Sequence, residues 1–280
     1  LPRWAAGKRT GDIELSFKLS FDSEEAERLD ADAIFDRLCA DLSYNEYEFQ
    51  ERNQIRFRGR RRAEKIEQVL YACPHCLRFG TLFSRDDRLR CAGCGYGVTY
   101  DEFGFLRPGA DQPEYYRNVH SWNMWQSEHL IGYLKRSIAD GGEAWDHRHR
   151  PLLRKGRITL STGYRSQPLK RHPPGVLSLH SDGLLYTSRD GGTRLFPFGE
   201  IGGANVQNNE RLEFYHDRTL FSFRSATRQS SSYQWVNALT VMKAIELGEG
   251  DAVRTHADIQ VRQQEGRLRY PTQASRPAES

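Results

Sequence analysis

The chain has 280 residues, with 41 Lys and Arg against 37 Asp and Glu, a formal net charge of +4, and only 38% apolar residues. At a mean hydropathy of −0.74, that composition fits two or three small modules better than one large core. No run of eighteen apolar residues exists, which excludes a transmembrane helix, and residues 1–20 lack the pattern of a secretory signal.

The first periodic stretch is Ile13, Leu15, Phe17 and Leu19, alternating with polar residues as a half-buried strand does. A strand is not stable alone, so a sheet is expected around it. With Leu1 standing where a Met would start a protein, the expectation is that a domain has been cut off upstream. Residues 23–42 read as one acidic helix, capped by Ser23, with Leu29, Ile34, Phe35, Leu38 and Leu42 on its apolar face. Cys39, beside Phe35, reads as a small core residue. After Tyr47-Glu48-Phe49-Gln50 comes a basic run, Arg56, Arg58, Arg60, Arg61 and Arg62, with Phe57 interleaved. Such a run contacts the phosphates of nucleic acid or anionic lipid, or is a solvated loop before a short helix at 63–70.

The strongest chemical signal follows. Cys73-Pro74-His75-Cys76 and Cys91-Ala92-Gly93-Cys94 are two CxxC pairs separated by fourteen residues. Each pair places two thiols on a tight turn, and four thiolates suit a tetrahedral zinc ion. The alternatives are two disulfides or four ordinary thiols. With Cys73, Cys76, Cys91 and Cys94 as ligands no position is left open for water, so the zinc is expected to be structural. His75 reads as a solvated knuckle residue. Residues 81–83 and 88–90 read as the strands of a ribbon. Four of the five cysteines lie in this pattern, which points to a reducing compartment.

Residues 114–140 read as a helix whose Val119, Trp122 and Trp125, then Leu130, Leu134 and Ile138, recur at helical spacing. The tryptophans are expected to pack on the ribbon rather than to form a membrane-interface patch. Gly141-Gly142 ends the helix, and 143–155 reads as a linker. His147 and His149 lack the further ligands a metal site needs. Residues 157–161, 176–180, 184–188, 193–198, 204–207, 211–216 and 219–224 read as seven short strands, punctuated by Asp182-Gly183, Asp190-Gly191-Gly192, Asn208-Asn209 and His216-Asp217. A helix at 232–247, capped by Ser231 or Ser232, presents Trp235, Ala238, Leu239, Met242 and Ile245. Residues 249–280 are polar and read as a disordered tail.

Two resemblances emerge. Pro2-Arg3-Trp4, the strand at 11–18, Asp32-Ala33-Ile34-Phe35-Asp36-Arg37-Leu38 and Tyr47-Glu48-Phe49-Gln50 resemble, in order and spacing, the end of a bacterial lysophospholipid acyltransferase. That family acylates 1-acyl-glycerol-3-phosphate. Some of its members continue into a CPxC…CxxC ribbon and pieces similar to Tyr100-Asp101-Glu102-Phe103-Gly104-Phe105 and Trp122-Asn123-Met124-Trp125-Gln126. The likeness covers roughly residues 1–130. The family's catalytic His-x4-Asp is absent, since none of the nine histidines has Asp five positions on, and so is its Glu-Gly-Thr-Arg motif. The resemblance therefore implies a C-terminal portion with no catalytic residue of its own. Separately, seven strands closed by one helix with a Trp near its start resemble a pleckstrin-homology (PH) domain. In lipid-binding members of that superfold the first loop holds basic phosphate ligands. Here that loop carries Arg165, Lys170, Arg171 and His172, but not in the lipid-binding arrangement.

The expected fold class is α+β and multi-module. An acyltransferase α/β remnant spans 1–68, a four-cysteine zinc ribbon 69–106 and a helical segment 107–142. After the linker, a PH-like seven-stranded β-barrel with a C-terminal helix spans 156–248, followed by the tail at 249–280. The function expected from this assembly is membrane docking or partner binding for an acyltransferase, in the cytoplasm and peripheral at the inner membrane. Its partners would be an anionic membrane surface, the missing acyltransferase domain, or a protein bound by the PH-like domain. A zinc-ribbon scaffold is the alternative, with nucleic acid a less favoured partner because Arg85 and Arg88 flank Asp86 and Asp87.

Overall fold

A computed structural model describes residues 4, 15, 17–139, 151–164 and 168–268. In place of one helix at 23–42 there are two, α1 (Ser23–Arg28) and α2 (Ala31–Leu42), followed by α3 (Glu46–Asn53). The break lies at Leu29-Asp30, because the Asp30 carboxylate accepts from the backbone N–H of Ala33 and starts a new helix there. Asp22, rather than Ser23, caps α1 in the same way. Neither helix buries a residue. Phe17 is 95% exposed, Leu19 and Leu42 are each 79% exposed, and Phe35 is 62% exposed. Cys39 is exposed as well, so it is not a core residue. Residues 17–20 pair with no strand among the described residues.

The chain then builds the ribbon lobe. Residues 63–70 form a 3-10 turn at Ile66–Gln68 instead of an α-helix, placing Ala63, Ile66 and Leu70 wholly inside. Four strands follow in the antiparallel order β1 (Leu82–Arg85), β2 (Arg88–Cys91), β3 (Gly97–Tyr100) and β4 (Leu106–Pro108). Their alternation sends Leu82, Leu89, Val98, Tyr100 and Leu106 inward, against Trp4, Tyr96, Val119 and Trp122. The Trp4 indole N–H donates to the Arg62 carbonyl at 3.0 Å, and its ring meets Tyr100 edge-on.

The helix expected at 114–140 is α4 (Val119–Ala139). Beyond it stands the β-rich lobe: β5 (Leu153–Gly163), β6 (Lys170–Arg171), β7 (Gly175–Leu179), β8 (Gly183–Ser188), β9 (Thr193–Pro197), β10 (Gly202–Gln207), β11 (Arg211–His216) and β12 (Thr219–Ser225). All seven expected strands are present, and the short β6 adds to the edge of β5. The sheet runs β10-β11-β12-β5-β7-β8-β9, so the last strand returns to pair with the first. β9 and β10 stand at its two ends, and the expected barrel is therefore not closed by hydrogen bonds. α5 (Ser232–Glu246), capped by the Ser231 hydroxyl, packs Trp235, Ala238, Leu239 and Met242 into the core of this lobe.

The region expected to be a disordered tail is ordered through α6 (His256–Leu268). Its sequence is polar overall, but Val253 and Ile259 are completely buried in the β-lobe core, and two such anchors suffice to dock one helix. Gly141, Gly142, His147, His149, Arg165 and the tail beyond 268 lie outside the described residues.

One helix joins the lobes. The first half of α4 gives Val119 and Trp122 to the ribbon core; its second half gives Leu130, Ile131 and Leu134 to the β-lobe core. At the seam sits Gln126, fully buried. Its carbonyl oxygen accepts from Tyr71 N–H at 2.8 Å and Ala72 N–H at 3.3 Å, while its amide donates to the Val69 carbonyl at 2.8 Å. Asn237 of α5 donates to the Tyr71 hydroxyl at 3.2 Å, and Ser231 to the Gln68 carbonyl. At the rim Lys65 pairs with Glu210 at 3.1 Å, and Arg228 with Glu64 at 3.2 Å. Replacing Gln126 by Leu leaves three buried backbone groups without partners. The expected loss is about 3 kcal/mol, read as a lowered midpoint in urea denaturation. An unchanged midpoint would show that the seam does not depend on this side chain.

Candidate metal centre

The two CxxC turns are built alike. In the first, Leu77 N–H closes on the Cys73 carbonyl at 2.9 Å, and Cys73 N–H donates to the Arg78 carbonyl at 3.0 Å. In the second, Gly95 N–H closes on the Cys91 carbonyl at 3.0 Å, and Cys91 N–H donates to the Tyr96 carbonyl at 2.8 Å. Both turns end on a left-handed residue, Leu77 at φ 61° and Gly95 at φ 79°. Glycine takes that conformation freely; Leu77 takes it at a cost in backbone strain. The Ala92 N–H to Thr81 carbonyl bond, at 2.8 Å, ties the second turn to the chain leaving the first.

These turns aim four sulfurs at one point. Cys73 and Cys94 Sγ are 3.7 Å apart, as are Cys76 and Cys91 Sγ. All four lie within 4.8 Å of one another. A tetrahedron with metal–sulfur bonds of ~2.3 Å has sulfur–sulfur edges of about 3.8 Å, whereas a disulfide needs ~2.05 Å. The cysteines are free rather than bonded in pairs, and the cluster can hold a metal ion.

The surroundings favour thiolate at one sulfur in particular. Burial alone would raise the Cys91 thiol, but the Thr81 hydroxyl and the backbone N–H groups of Gly93 and Cys94 outweigh it and bring Cys91 down to about 7. Burial pushes Cys73 well above the usual thiol range, although the N–H groups of Cys76 and His75 point at it, and it raises Cys94 as well. A bound cation would replace those protons, since a coordinating thiol is deprotonated outright. Four sulfurs complete a tetrahedral shell, so the arrangement is suited to holding structure and not to activating water. His75 is outside the cluster: it is exposed, and its Nδ1 lies 3.0 Å from the Tyr115 hydroxyl.

The basic residues singled out in the sequence do not form one site. Arg62 is a structural latch: its guanidinium pairs with Asp87 at 2.8 Å and donates to the Tyr100 carbonyl at 3.2 Å, and its own N–H donates to Asp87 at 2.6 Å. It is therefore not free for phosphate. Arg61, left-handed at φ 59°, reaches Glu64 at 3.7 Å. Arg58 and Arg60 are exposed, without an ion-pair partner among the described residues. Lys170 and Arg171 are exposed on β6, in the other lobe. Sequence reasoning missed Thr81, whose hydroxyl oxygen lies 3.2 Å from the Cys91 sulfur and accepts from its thiol, and Gln126 as the seam. Neither belongs to a motif, and each acts on residues distant in the chain.

Cys94 is exposed, so Cys94→Ser removes a ligand without opening a core cavity. The variant should lose its metal and several kcal/mol of ribbon stability, measured by elemental analysis and thermal melting, while Cys39→Ser should change neither. Full metal content and an unchanged melt in Cys94→Ser would refute the four-cysteine site.

No protein-family model matches the chain, and no curated protein matches it either.

Proposed function

We propose that this chain is a non-catalytic docking unit, stapled by one structural zinc ion, that extends a membrane-associated lysophospholipid acyltransferase. The observation that carries this reading is the exposure of the apolar side chains Phe17, Leu19, Phe35 and Leu42, in the very stretch that resembles the end of that enzyme's α/β domain. Apolar segments stay bare in this way when the surface they pack on lies elsewhere. On this reading acyl transfer to 1-acyl-glycerol-3-phosphate belongs to a His-x4-Asp dyad outside these residues. The metal-stapled ribbon and the β lobe orient that domain at the cytoplasmic face of the inner membrane.

Zinc is favoured by the donor set: four soft thiolates at tetrahedral edges, with no open position and no redox demand. We assign the β lobe to the PH type. The support is its strand order, in which β12 returns to pair with β5, followed directly by a helix with Trp235 near its start. Among the described residues no helix is long and apolar enough to cross a membrane, so attachment on this reading is peripheral.

Two measurements test the proposal. The reading frame upstream of Leu1 should continue into His-x4-Asp and then Glu-Gly-Thr-Arg; a start codon immediately before Leu1 would contradict the acyltransferase assignment. The purified chain should sediment with vesicles containing anionic lipid and be released at high salt. Absence of sedimentation at low salt would contradict membrane docking and leave a zinc-ribbon scaffold.

A further inference from the structure

The ribbon sheet has two faces, and only the inner one is explained by folding. On the outer face the register sets Phe83 opposite Arg90 and Arg85 opposite Arg88, with Arg88 beside Thr99 and Arg90 beside Gly97 on the next strand. Phe83, Arg85, Arg88 and Arg90 are all exposed, and with Thr99 they line an open groove of about 620 Å³. Two arginines directly across a strand pair repel one another and weaken the sheet. The fold gains nothing from them, because Leu82 and Leu89 on the inner face hold the hairpin.

The two acids of the hairpin turn, Asp86 and Asp87, also line the groove, but they do not neutralise it. Asp87 is taken up by Arg62 at 2.8 Å. Asp86 stands 3.9 Å from Arg85 with both side chains in solvent, where an ion pair contributes little. Arg88 and Arg90 have no carboxylate partner among the described residues. Arg90 lies across the bare backbone of Gly97, where a Cβ would come within 3.1 Å of its Cγ. Three guanidinium groups and one exposed aromatic ring thus share one face of a hairpin whose second strand ends in Cys91, one of the four clustered cysteines. Strand pairing fixes the backbone that carries these side chains before anything binds.

We propose that this outer face, formed by Arg85, Arg88, Arg90 and Phe83, docks on a lipid surface bearing phosphomonoester headgroups such as phosphatidate. A phosphomonoester offers up to two negative charges and three free oxygens, which guanidinium forks engage in pairs. A phosphodiester headgroup offers one charge and fewer oxygens. Phe83 supplies the apolar contact that an interface beneath the headgroups accepts. The inference rests on the membrane reading above and names the surface and lipid class that reading requires.

The test is vesicle flotation of the full chain. Three vesicle types are compared: phosphatidylcholine alone, phosphatidylcholine with phosphatidate, and phosphatidylcholine with phosphatidylglycerol at matched surface charge. The parent should favour the phosphatidate vesicles. Arg85→Gln/Arg88→Gln/Arg90→Gln, with metal content and melting unchanged, should partition about 100-fold less, and Arg88→Gln alone about fivefold less. Lys170→Gln/Arg171→Gln should behave as the parent. Equal flotation of the triple variant would overturn the proposal, as would equal binding to phosphatidylglycerol. So would competition by free inorganic phosphate at equal phosphate concentration, or stronger binding of a single-stranded oligonucleotide through the same arginines. A parent that floats but is indifferent to the triple change refutes this surface alone; a parent that floats with none of the vesicles refutes the membrane reading too.

Discussion

Four sulfurs converge where two turns of the chain meet, and the ribbon lobe depends on that convergence. Its sheet has strands of three or four residues, too short to fix two irregular turns by pairing alone. Leu77 is held in a left-handed conformation that its side chain disfavours, and something must hold it there. A metal ion on four thiolates would supply that constraint, because its binding free energy becomes folding free energy when the site does not exist in the unfolded chain. The Thr81 hydroxyl and two backbone N–H groups beside Cys91 lower its thiol against the effect of burial, which suits that sulfur to a cation.

From this staple the order of the structure runs outward along α4. One end of the helix lies in the ribbon core and the other in the β-lobe core. Gln126 joins them by answering backbone groups on the strip between Val69 and Ala72, directly before the first ligand. The metal turn, the seam and the β lobe are thus contiguous in packing. In the segment at 17–44 charges pair among themselves, as in Lys18 with Asp41 and Arg37 with Glu25, and Phe17, Leu19, Phe35 and Leu42 are uncovered. The docking function proposed here uses that division, with the packed lobes on one side and exposed apolar side chains on the other.

What the sequence made legible was what is encoded locally. The CxxC spacing is a short-range signal, and all four cysteines meet as expected. The seven strands and α5 were readable within a few residues, because alternation and Asp-Gly or Asn-Asn turns are local as well. What it hid was tertiary. Asp30 interrupts a helix whose apolar spacing runs straight through it. α6 looks like a solvated tail until Val253 and Ile259 find a core. Arg62 belongs to a basic run in sequence but to Asp87, twenty-five residues away, in space. Arg85 to Arg90 looks mixed in charge along the chain, while on the sheet the arginines share one face and one of the two acids beside them is paired with Arg62.

The most direct test of the central claim is X-ray absorption at the metal edge of the chain purified without added metal. A zinc edge with four sulfur scatterers at ~2.3 Å is the expected result. An iron edge, a shell containing nitrogen or oxygen, or no metal at all would contradict the account, because the turns at Cys73 and Cys91 would then be held by something other than a four-thiolate zinc centre.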